Sequence, residues 1–134
     1  MIIDATDAVM GRIASTAAKK LLIGEDVIII NAEKAIITGE KKMIFKRFMH
    51  KRERGDPKKG PFYPRYPDMI LRRVIRGMLP YKKPKGRVAI KKLKVYNGNP
   101  ENHKKAQKIV KSVEDLKCKY MTLEDLSRRM GAKV

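Results

Sequence analysis

The sequence has little of what cross-links a chain covalently or through a metal. Cys118 is the only cysteine in 134 residues, and the two histidines, His50 and His103, lie far apart along the chain. A single thiol cannot form an internal disulfide, and no paired Cys/His spacing of the kind that binds zinc occurs. We therefore expect a reducing compartment, no metal site and no cofactor.

Long apolar runs are absent as well, and so is tryptophan. The longest aliphatic run, residues 27–30, is far shorter than the roughly 20 residues that cross a bilayer. The N-terminal stretch "MIIDATDAVMGR" lacks the basic segment and the long apolar core of a secretory signal. These absences predict a soluble protein without a membrane segment.

The middle of the chain lacks acidic charge. Residues 1–40 hold 4 basic and 6 acidic residues, residues 41–94 hold 20 and 3, and residues 95–134 hold 9 and 5. The net charge of the whole chain is +19, and the central segment alone contributes +17 (20 − 3). Self-repulsion of this size opposes a compact fold unless a polyanion neutralises it, so the charge distribution favours a nucleic-acid partner.

The N-terminal part has the pattern of a strand, a helix and a second strand. Residues 1–5 begin extended, residues 12–23 repeat apolar side chains at helical spacing, and Gly24 follows where a helix would end. "DVIIINA" is then an unbroken apolar run, typical of a strand covered on both faces. This order predicts a βαβ unit with a parallel sheet. The predicted buried stripe of the helix is Ile13, Ala14, Ala17, Ala18, Leu21 and Leu22.

The first turn of such a unit is where a glycine-rich phosphate loop would lie, so a dinucleotide site is an alternative. The turn "DATDAVMGR" holds one glycine, Gly11, and its acids Asp4 and Asp7 would repel a pyrophosphate. A plain packing turn is the better interpretation.

The following segment changes from apolar to basic. Residues 36–37 predict a short strand, and residues 43–49 predict a helix with one apolar and one cationic face. After Arg54, glycines and prolines exclude regular structure and leave a basic and aromatic loop. Its cations alternate with its rings: Lys58, Lys59 and Arg65 with Phe62, Tyr63 and Tyr66.

Two interpretations of this loop are open. Its cations can neutralise RNA phosphates while its rings stack on exposed bases, or its rings can pack back on their own domain. We favour RNA binding, because a basic loop of this length in a small domain is usually functional or disordered.

The stretch "PDMILRRVIRGMLP" predicts a helix that begins near Pro67 and presents Arg72, Arg73 and Arg76 opposite an apolar stripe. The neighbouring blocks are also basic and offer few acidic partners, so phosphate contact is a better interpretation than a solvated face. Beyond it, "YKKPKGR" predicts a basic turn, "VAIKKL" a short helix and "LKVY" a strand that returns to the sheet. The apolar residues expected in the core here are Ile70, Leu71, Val74, Ile75, Met78, Leu79, Val88, Ile90 and Leu93.

Three pieces carry a family resemblance: "IDATDAVMGRIAS", "VIIINAEKAIITGEK" and "VIRGMLPYKKPKGRVAIKKLKVYNGNPENH". In this order and spacing they resemble the L-thirteen family of large-ribosomal-subunit proteins, over about residues 2–107. The loop at residues 50–66 and the tail at residues 106–134 depart from the bacterial pattern, so the chain is similar to the archaeal and eukaryotic branch.

The resemblance implies an α/β fold, with three α/β/α layers around a small, mainly parallel four-stranded sheet, a basic loop and a C-terminal helical extension. It also implies a structural constituent of the large ribosomal subunit, in the cytoplasm, that catalyses no reaction. Such a protein binds large-subunit rRNA, lies beside neighbouring ribosomal proteins, and supports early subunit assembly and translation. It needs no cofactor, no membrane and no small-molecule substrate.

The resemblance assigns no RNA contact to individual residues, so candidates are chosen on charge and placement. They are basic side chains of the central segment: Arg47, Lys51, Arg52, Arg54, Lys58, Lys59, Arg65, Arg72, Arg73, Arg76, Lys82, Lys83, Lys85, Arg87, Lys91 and Lys92.

The tail is predicted to end in a helix. Thr122 and Asp125 have the spacing of a capped N-terminus, and the helix then runs through Met130 and stops at Gly131. We expect one domain over residues 1–134, with residues 106–134 as an extension that packs on or beside it. The side chains predicted to face inward are Leu123, Leu126 and Met130.

Two other classes of protein are weaker alternatives. A membrane-surface protein would use the basic amphipathic helices, but their apolar faces are needed for a shared core. An RNA-processing enzyme would need a catalytic pair, and no recognisable one occurs. Its acids and base would come from Asp4, Asp7, Glu33, Asp56, Asp68, His50 and His103.

Overall fold

The computed structural model describes residues 1–54, 58, 62–108 and 118–133. A short 3₁₀ turn, Ala32–Lys34, follows the second strand. The helices and strands are, in chain order, β1 (Ile2–Asp4), α1 (Met10–Ile23), β2 (Val27–Ile30), β3 (Ile36–Thr38), α2 (Lys41–Glu53), α3 (Pro67–Met78), α4 (Pro84–Lys91), β4 (Leu93–Val95), β5 (Gln107–Lys108), β6 (Tyr120–Thr122) and α5 (Leu123–Arg129).

The main sheet has four parallel strands in the order β4-β2-β1-β5. Its register sets Ile3 opposite Ile29, and Ile29 opposite Val95. Helices surround the sheet, so the α/β class and the predicted β1–α1–β2 unit are confirmed. β2 is less fully covered than predicted, because Ile28 is only half-buried while Val27, Ile29 and Ile30 are buried.

A second, two-stranded sheet joins the two ends of the chain. β3 pairs antiparallel with β6, with Ile36 opposite Thr122 and Thr38 opposite Tyr120. β3 had a sequence signal, whereas β6 did not, because "YMT" is too short to show strand alternation. The pairing brings the C-terminal helix against the N-terminal half of the domain.

α1 buries the apolar stripe that its spacing predicts. Ile13, Ala14, Ala17, Ala18 and Leu21 are all buried, and the stripe lies in one core with residues of β1, β2, α3 and α5. Leu22 was predicted to join them but is 38% exposed. Successive steps of four residues drift around the helix axis, so Leu22 lies at the solvent edge of the stripe.

Gly24 ends α1 as predicted. Its φ is +104°, and its N–H donates to the Leu21 carbonyl while the next N–H, of Glu25, donates to that of Lys20. Glycine adopts this left-handed conformation without a Cβ penalty, so it satisfies two carbonyls that the helix leaves open.

α5 also forms as its sequence predicts. Thr122 Oγ1 accepts a hydrogen bond from the Asp125 N–H at 3.2 Å, and Gly131, with φ +95°, follows the helix. The three side chains predicted to face inward are all buried: Leu123, Leu126 and Met130. The proposed limits of the domain and of its extension stay a prediction.

The segment after α3 needs two corrections. α4 begins at Pro84, inside the predicted basic turn, because proline suits the first helical position and Lys83 before it is extended. Met78 and Val88 were predicted core residues but are 45% and 57% exposed. Leu79 is buried just after Met78, and the inner side of α4 carries Gly86 and Ala89, so Val88 faces outward.

At Gly86, the backbone of α4 lies very close to the backbone of Pro80. A Cβ added at this residue would lie 2.1 Å from the Pro80 carbonyl oxygen and 2.3 Å from its carbon. Contacts that short do not occur between real atoms, so only glycine lets α4 fold back on the turn at Pro80. The core contact of Ala89 depends on this approach.

We therefore expect Gly86→Ala to lower the free energy of unfolding by about 3 kcal/mol, as for a strongly overpacked position. Urea denaturation would measure it. Gly77→Ala is the matched control, because an added Cβ meets nothing within 4 Å there; alanine in that exposed helical site should raise stability by about 0.5–1 kcal/mol. Equal stabilities for the two variants would contradict the role given to Gly86.

Candidate nucleic-acid interface

Residues 41–94, which include α2, α3, α4 and the loop at residues 62–66, hold 20 of the 33 lysines and arginines of the chain. The ion pairs within the described residues are Lys20–Glu25, Glu101–His103, Glu124–Arg128 and Asp125–Arg129. All lie outside residues 41–94. Leaving Lys58 aside, no basic side chain that the structure describes in this central segment is paired with Asp or Glu. The cationic surface is therefore not neutralised from within.

Aromatic rings hold several of these cations. The rings of Phe48 on α2 and Tyr63 in the loop meet edge to face, with centroids 5.9 Å apart. Lys51 Nζ lies 5.0 Å from the Phe48 centroid and 5.5 Å from that of Tyr63, and Arg73 Cζ lies 5.8 Å from Tyr63. Tyr63 thus bridges α2 and α3, and cation–π attraction holds a cation from each helix beside it.

The titration of this cluster reflects its crowding. Burial lowers the pKa of Lys51, and the positive charge of Arg47 lowers it further. Burial raises the pKa of Tyr63, against the opposite influence of Arg73. Both shifts favour the neutral form of the side chain concerned. An anion bound here would relieve the repulsion between Lys51 and Arg47.

The rings of the aromatic loop differ in their surroundings, and RNA binding by the exposed ones stays a prediction. Tyr63 packs back on its own domain, whereas Phe62 is 69% and Tyr66 50% exposed. A further pair lies beyond the loop, where Arg76 Cζ is 4.5 Å from the centroid of the Tyr81 ring. The sequence did not predict this pair, because Arg76 and Tyr81 meet only after the chain turns at Pro80, beyond the end of α3.

Three of the candidate cations are bound to backbone carbonyls. Arg72 donates from Nη1 to the Leu93 oxygen at 2.8 Å and from Nη2 to the Ile90 oxygen at 3.2 Å. Arg52 Nη1 donates to the Met130 oxygen at 2.6 Å, and Lys92 Nζ to the Gly24 oxygen at 3.1 Å. These three side chains therefore stabilise the fold, since each donates to a backbone carbonyl at the end of a helix or the start of a strand.

The other candidates lie at the surface, apart from three residues. Arg73 and Arg76 are half-buried along α3, and Lys59 lies outside the described residues. Arg65 lies close to Gly131 after the C-terminal helix: its Nη1 is 3.6 Å from where a Cβ added to Gly131 would lie. Exposed are Arg47, Lys51, Arg54, Lys58, Arg65, Lys82, Lys83, Lys85, Arg87 and Lys91.

Sequence reasoning left out further exposed cations on the same elements. Lys42 and Lys46 are exposed on α2, and Lys94 is exposed on β4. Lys42 and Lys46 could have been found, since their spacing of four residues places them on one helical face with His50. Lys94 could have been found from its alternation with the apolar side chains of β4.

Two of the acids considered for an enzyme, Asp4 and Glu33, accept hydrogen bonds that stabilise turns. Asp4 Oδ1 accepts hydrogen bonds from Thr6 N at 3.0 Å, Thr6 Oγ1 at 2.6 Å and Asn31 Nδ2 at 3.1 Å, joining the ends of β1 and β2. Glu33 Oε2 accepts from Gly98 N at 2.8 Å. Burial alone would raise the pKa of Asp4, but its hydrogen bonds and the charge of Lys108 lower it below its ordinary value.

The remaining residues of that set are scattered. Asp7 and His50 are exposed, Asp68 lies in the first turn of α3, and Asp56 falls outside the described residues. His103 Nε2 lies 3.0 Å from Glu101 Oε2. In the part of the chain that the structure describes, no three His, Cys, Asp or Glu side chains are grouped to hold a metal, and no helix is long and apolar enough to cross a membrane.

Fold and surface together define a basic α/β protein whose helices α2, α3 and α4 carry exposed cations. The family described as Ribosomal protein L13 matches residues 1–102. Similar relatives named "Large ribosomal subunit protein uL13" occur in Methanocaldococcus jannaschii, 50% identical over 98% of this chain and 98% of the relative, and in Methanopyrus kandleri, 48% identical over 97% and 86%. One in Thermoplasma volcanium is 43% identical, over 97% of each chain.

The chain belongs to the ribosomal protein L13 family. This confirms the expected L-thirteen resemblance and its archaeal side, since these three relatives are archaeal. The family consists of structural ribosomal proteins and not of enzymes, so the expectation that the chain is not an enzyme is confirmed too.

Arg72→Lys should separate a structural arginine from a surface one. A lysine ammonium cannot reproduce the guanidinium fork that reaches two carbonyls, so we expect the free energy of unfolding to fall by about 1–3 kcal/mol. Arg87→Lys, at an exposed position of α4, should change it by less than about 0.5 kcal/mol. Urea denaturation of both variants measures this, and a tolerated Arg72→Lys would refute the bridging role.

Asp4→Asn should change how stability depends on pH. The lowered pKa of Asp4 means that its carboxylate stabilises the fold above the ordinary carboxyl range, and that this contribution is lost as pH falls through the lowered value. The variant should be about 1–2 kcal/mol less stable at neutral pH, with the gap narrowing in acid. Asp7→Asn in the same turn is the control; a gap independent of pH would exclude this role for Asp4.

Proposed function

We propose that the chain is a structural constituent of the large ribosomal subunit. It binds large-subunit rRNA through the surface formed by α2, α3, α4 and the loop at residues 62–66. It also supports early subunit assembly and translation in the cytoplasm. Neighbouring large-subunit proteins are its expected protein partners. Membership of the ribosomal protein L13 family supports this proposal, as do the names of its archaeal relatives.

One observation carries the RNA-binding part of the proposal: leaving Lys58 aside, the cations that the structure describes in residues 41–94 lack acidic partners. This segment contributes +17 of the net charge of +19, while the ion pairs of the described residues all lie elsewhere. A surface adapted to water alone would mix the two signs of charge. A surface of one sign is complementary to a phosphate backbone.

The mechanism is counterion release combined with recognition of shape. Lysines and arginines that neutralise phosphates release condensed cations, and the entropy gained favours binding. Folded RNA is recognised mainly through phosphates, 2′-hydroxyls and unpaired bases. Guanidinium groups that are already oriented by rings, such as Arg73 and Arg76, lose little entropy when they bind a phosphate.

We expect the exposed candidates and the two ring-supported arginines to contact RNA, with Lys42 and Lys46 beside them. Lys59 stays a candidate on its sequence alone. The cations that serve backbone carbonyls have fewer donors left for phosphate, so Arg52, Arg72 and Lys92 are expected to contribute least to the affinity for RNA.

The protein should sediment with the large subunit. In a sucrose gradient of native lysate, washed with moderate salt, a blot for this protein should find it in the large-subunit fractions. Ribosomal proteins of the small subunit and a soluble cytoplasmic protein provide the position controls. Presence in the light fractions alone would contradict the proposed function.

Replacing Lys83, Lys85 and Arg87 by glutamine should weaken binding to purified large-subunit rRNA. Each lost phosphate contact should reduce the slope of log affinity against log salt by about 1, so the slope should become shallower by about 2–3. The matched control removes three exposed cations from outside the surface, at Arg12, Lys19 and Lys104. An equal loss of slope in both variants would show that net charge, and not this surface, determines binding.

A further inference from the structure

A small groove lies between the loop at residues 62–66 and α3, and it has a volume of about 240 Å³. Two apolar side chains at its edge are open to solvent: Phe62 is 69% and Met69 47% exposed. The groove has no acidic residue among those that line it: Phe62, Pro64, Met69, Arg72, Arg73 and Arg76. An exposed ring beside three arginines offers a ligand both a stacking face and positive charge.

The arginines of the groove differ in how they are held. Arg72 lines the groove, and its guanidinium is bound to the carbonyls of Ile90 and Leu93. Arg73 and Arg76 instead lie against the rings of Tyr63 and Tyr81. Neither of these two forms an ion pair or a side-chain hydrogen bond with any residue that the structure describes. Their N–H donors are therefore oriented and available.

We propose that this groove binds one unstacked nucleotide of the rRNA, with its base against Phe62 and its phosphate held by Arg73 and Arg76. The inference rests on the proposed rRNA binding and deepens it by naming the form of RNA that is recognised. Duplex RNA can satisfy the surrounding lysines, but only an unpaired nucleotide can use an aromatic face.

The size of the groove favours a single base. A volume of 240 Å³ is below the roughly 300 Å³ at which pockets for drug-sized ligands begin, so one ring system fits where a run of stacked bases does not. Stacking is tolerant of base identity, because every base has a π face. The groove therefore selects an extruded position in the folded RNA and not a particular base.

The charge of the groove favours a nucleotide over a peptide. An apolar peptide side chain could cover Phe62 and Met69, but it would leave Arg73 and Arg76 without an anionic partner. A nucleotide carries a planar base and a phosphate together, and the residues that line the groove offer an aromatic ring and two guanidinium forks. The same side chains also continue directly into the cationic surface of α3.

The test compares wild-type protein with Phe62→Ala, Phe62→Tyr and Ile23→Ala, each bound to purified large-subunit rRNA. Phe62→Tyr keeps the ring, and Ile23→Ala removes an apolar side chain that is 72% exposed at the end of α1, outside both the groove and the proposed RNA surface. Affinity is measured by filter binding, and the reactivity of individual bases by chemical probing. Ultraviolet cross-linking of assembled subunits, read by mass spectrometry, identifies what touches Phe62.

We expect Phe62→Ala to bind roughly 5- to 150-fold more weakly, the range found when a stacking ring is removed. It should also uncover one or two unpaired nucleotides that wild-type protein protects. Phe62→Tyr and Ile23→Ala should behave as wild type, and Phe62 should carry a nucleotide adduct. Circular dichroism checks that the exposed substitution leaves the fold intact.

Three results would overturn the inference: an unchanged footprint with Phe62→Ala, new reactivity confined to base-paired RNA, or an adduct between Phe62 and a peptide. These leave the proposed function standing, provided that the wild-type protein binds rRNA. Failure of the wild-type protein to bind rRNA would instead reject both proposals.

Discussion

The hydrogen bonds of Arg72 hold together the part of the domain on which the cationic surface is built. One guanidinium on α3 satisfies the Ile90 carbonyl near the end of α4 and the Leu93 carbonyl at the start of β4. β4 is paired to β2 in the main sheet, so the fork fixes two helices relative to the sheet. The next residue, Arg73, is half-buried and lies against the Tyr63 ring. Adjacent arginines on one helix thus serve the fold and the surface respectively.

Concentrating charge on one surface has a cost for the free protein. Like charges at α2, α3 and α4 repel one another; the pKa of Lys51 is lowered first by burial and then by the positive charge of Arg47. Rings reduce the cost, because Tyr63 and Tyr81 each attract a cation without adding negative charge. Carboxylates would neutralise the cations more strongly, but they would also repel RNA. Aromatic support is therefore compatible with binding where acidic support is not.

Sequence alone sufficed where a structure is encoded locally. The apolar spacing of α1, the glycine that ends it and the cap of α5 at Thr122 all lie within a few residues of the elements they define. It failed where the determining partner is distant. Nothing near Arg72 or Arg52 reveals that each will serve a carbonyl, and nothing near residues 120–122 reveals a partner in β3. Met78 and Val88 were misassigned because apolar character alone does not say which face an element end will bury.

The pairing of β3 with β6 has a consequence for the order of events during synthesis. β3 leaves the ribosomal exit tunnel long before β6, whose register sets Thr122 opposite Ile36. Until then one edge of β3 lacks this partner, and the apolar surface that α5 will cover is open. Contacts between segments so distant in sequence form late and slowly. A nascent chain of this protein therefore has an interval in which the apolar surface that the C-terminal helix finally covers is open to solvent.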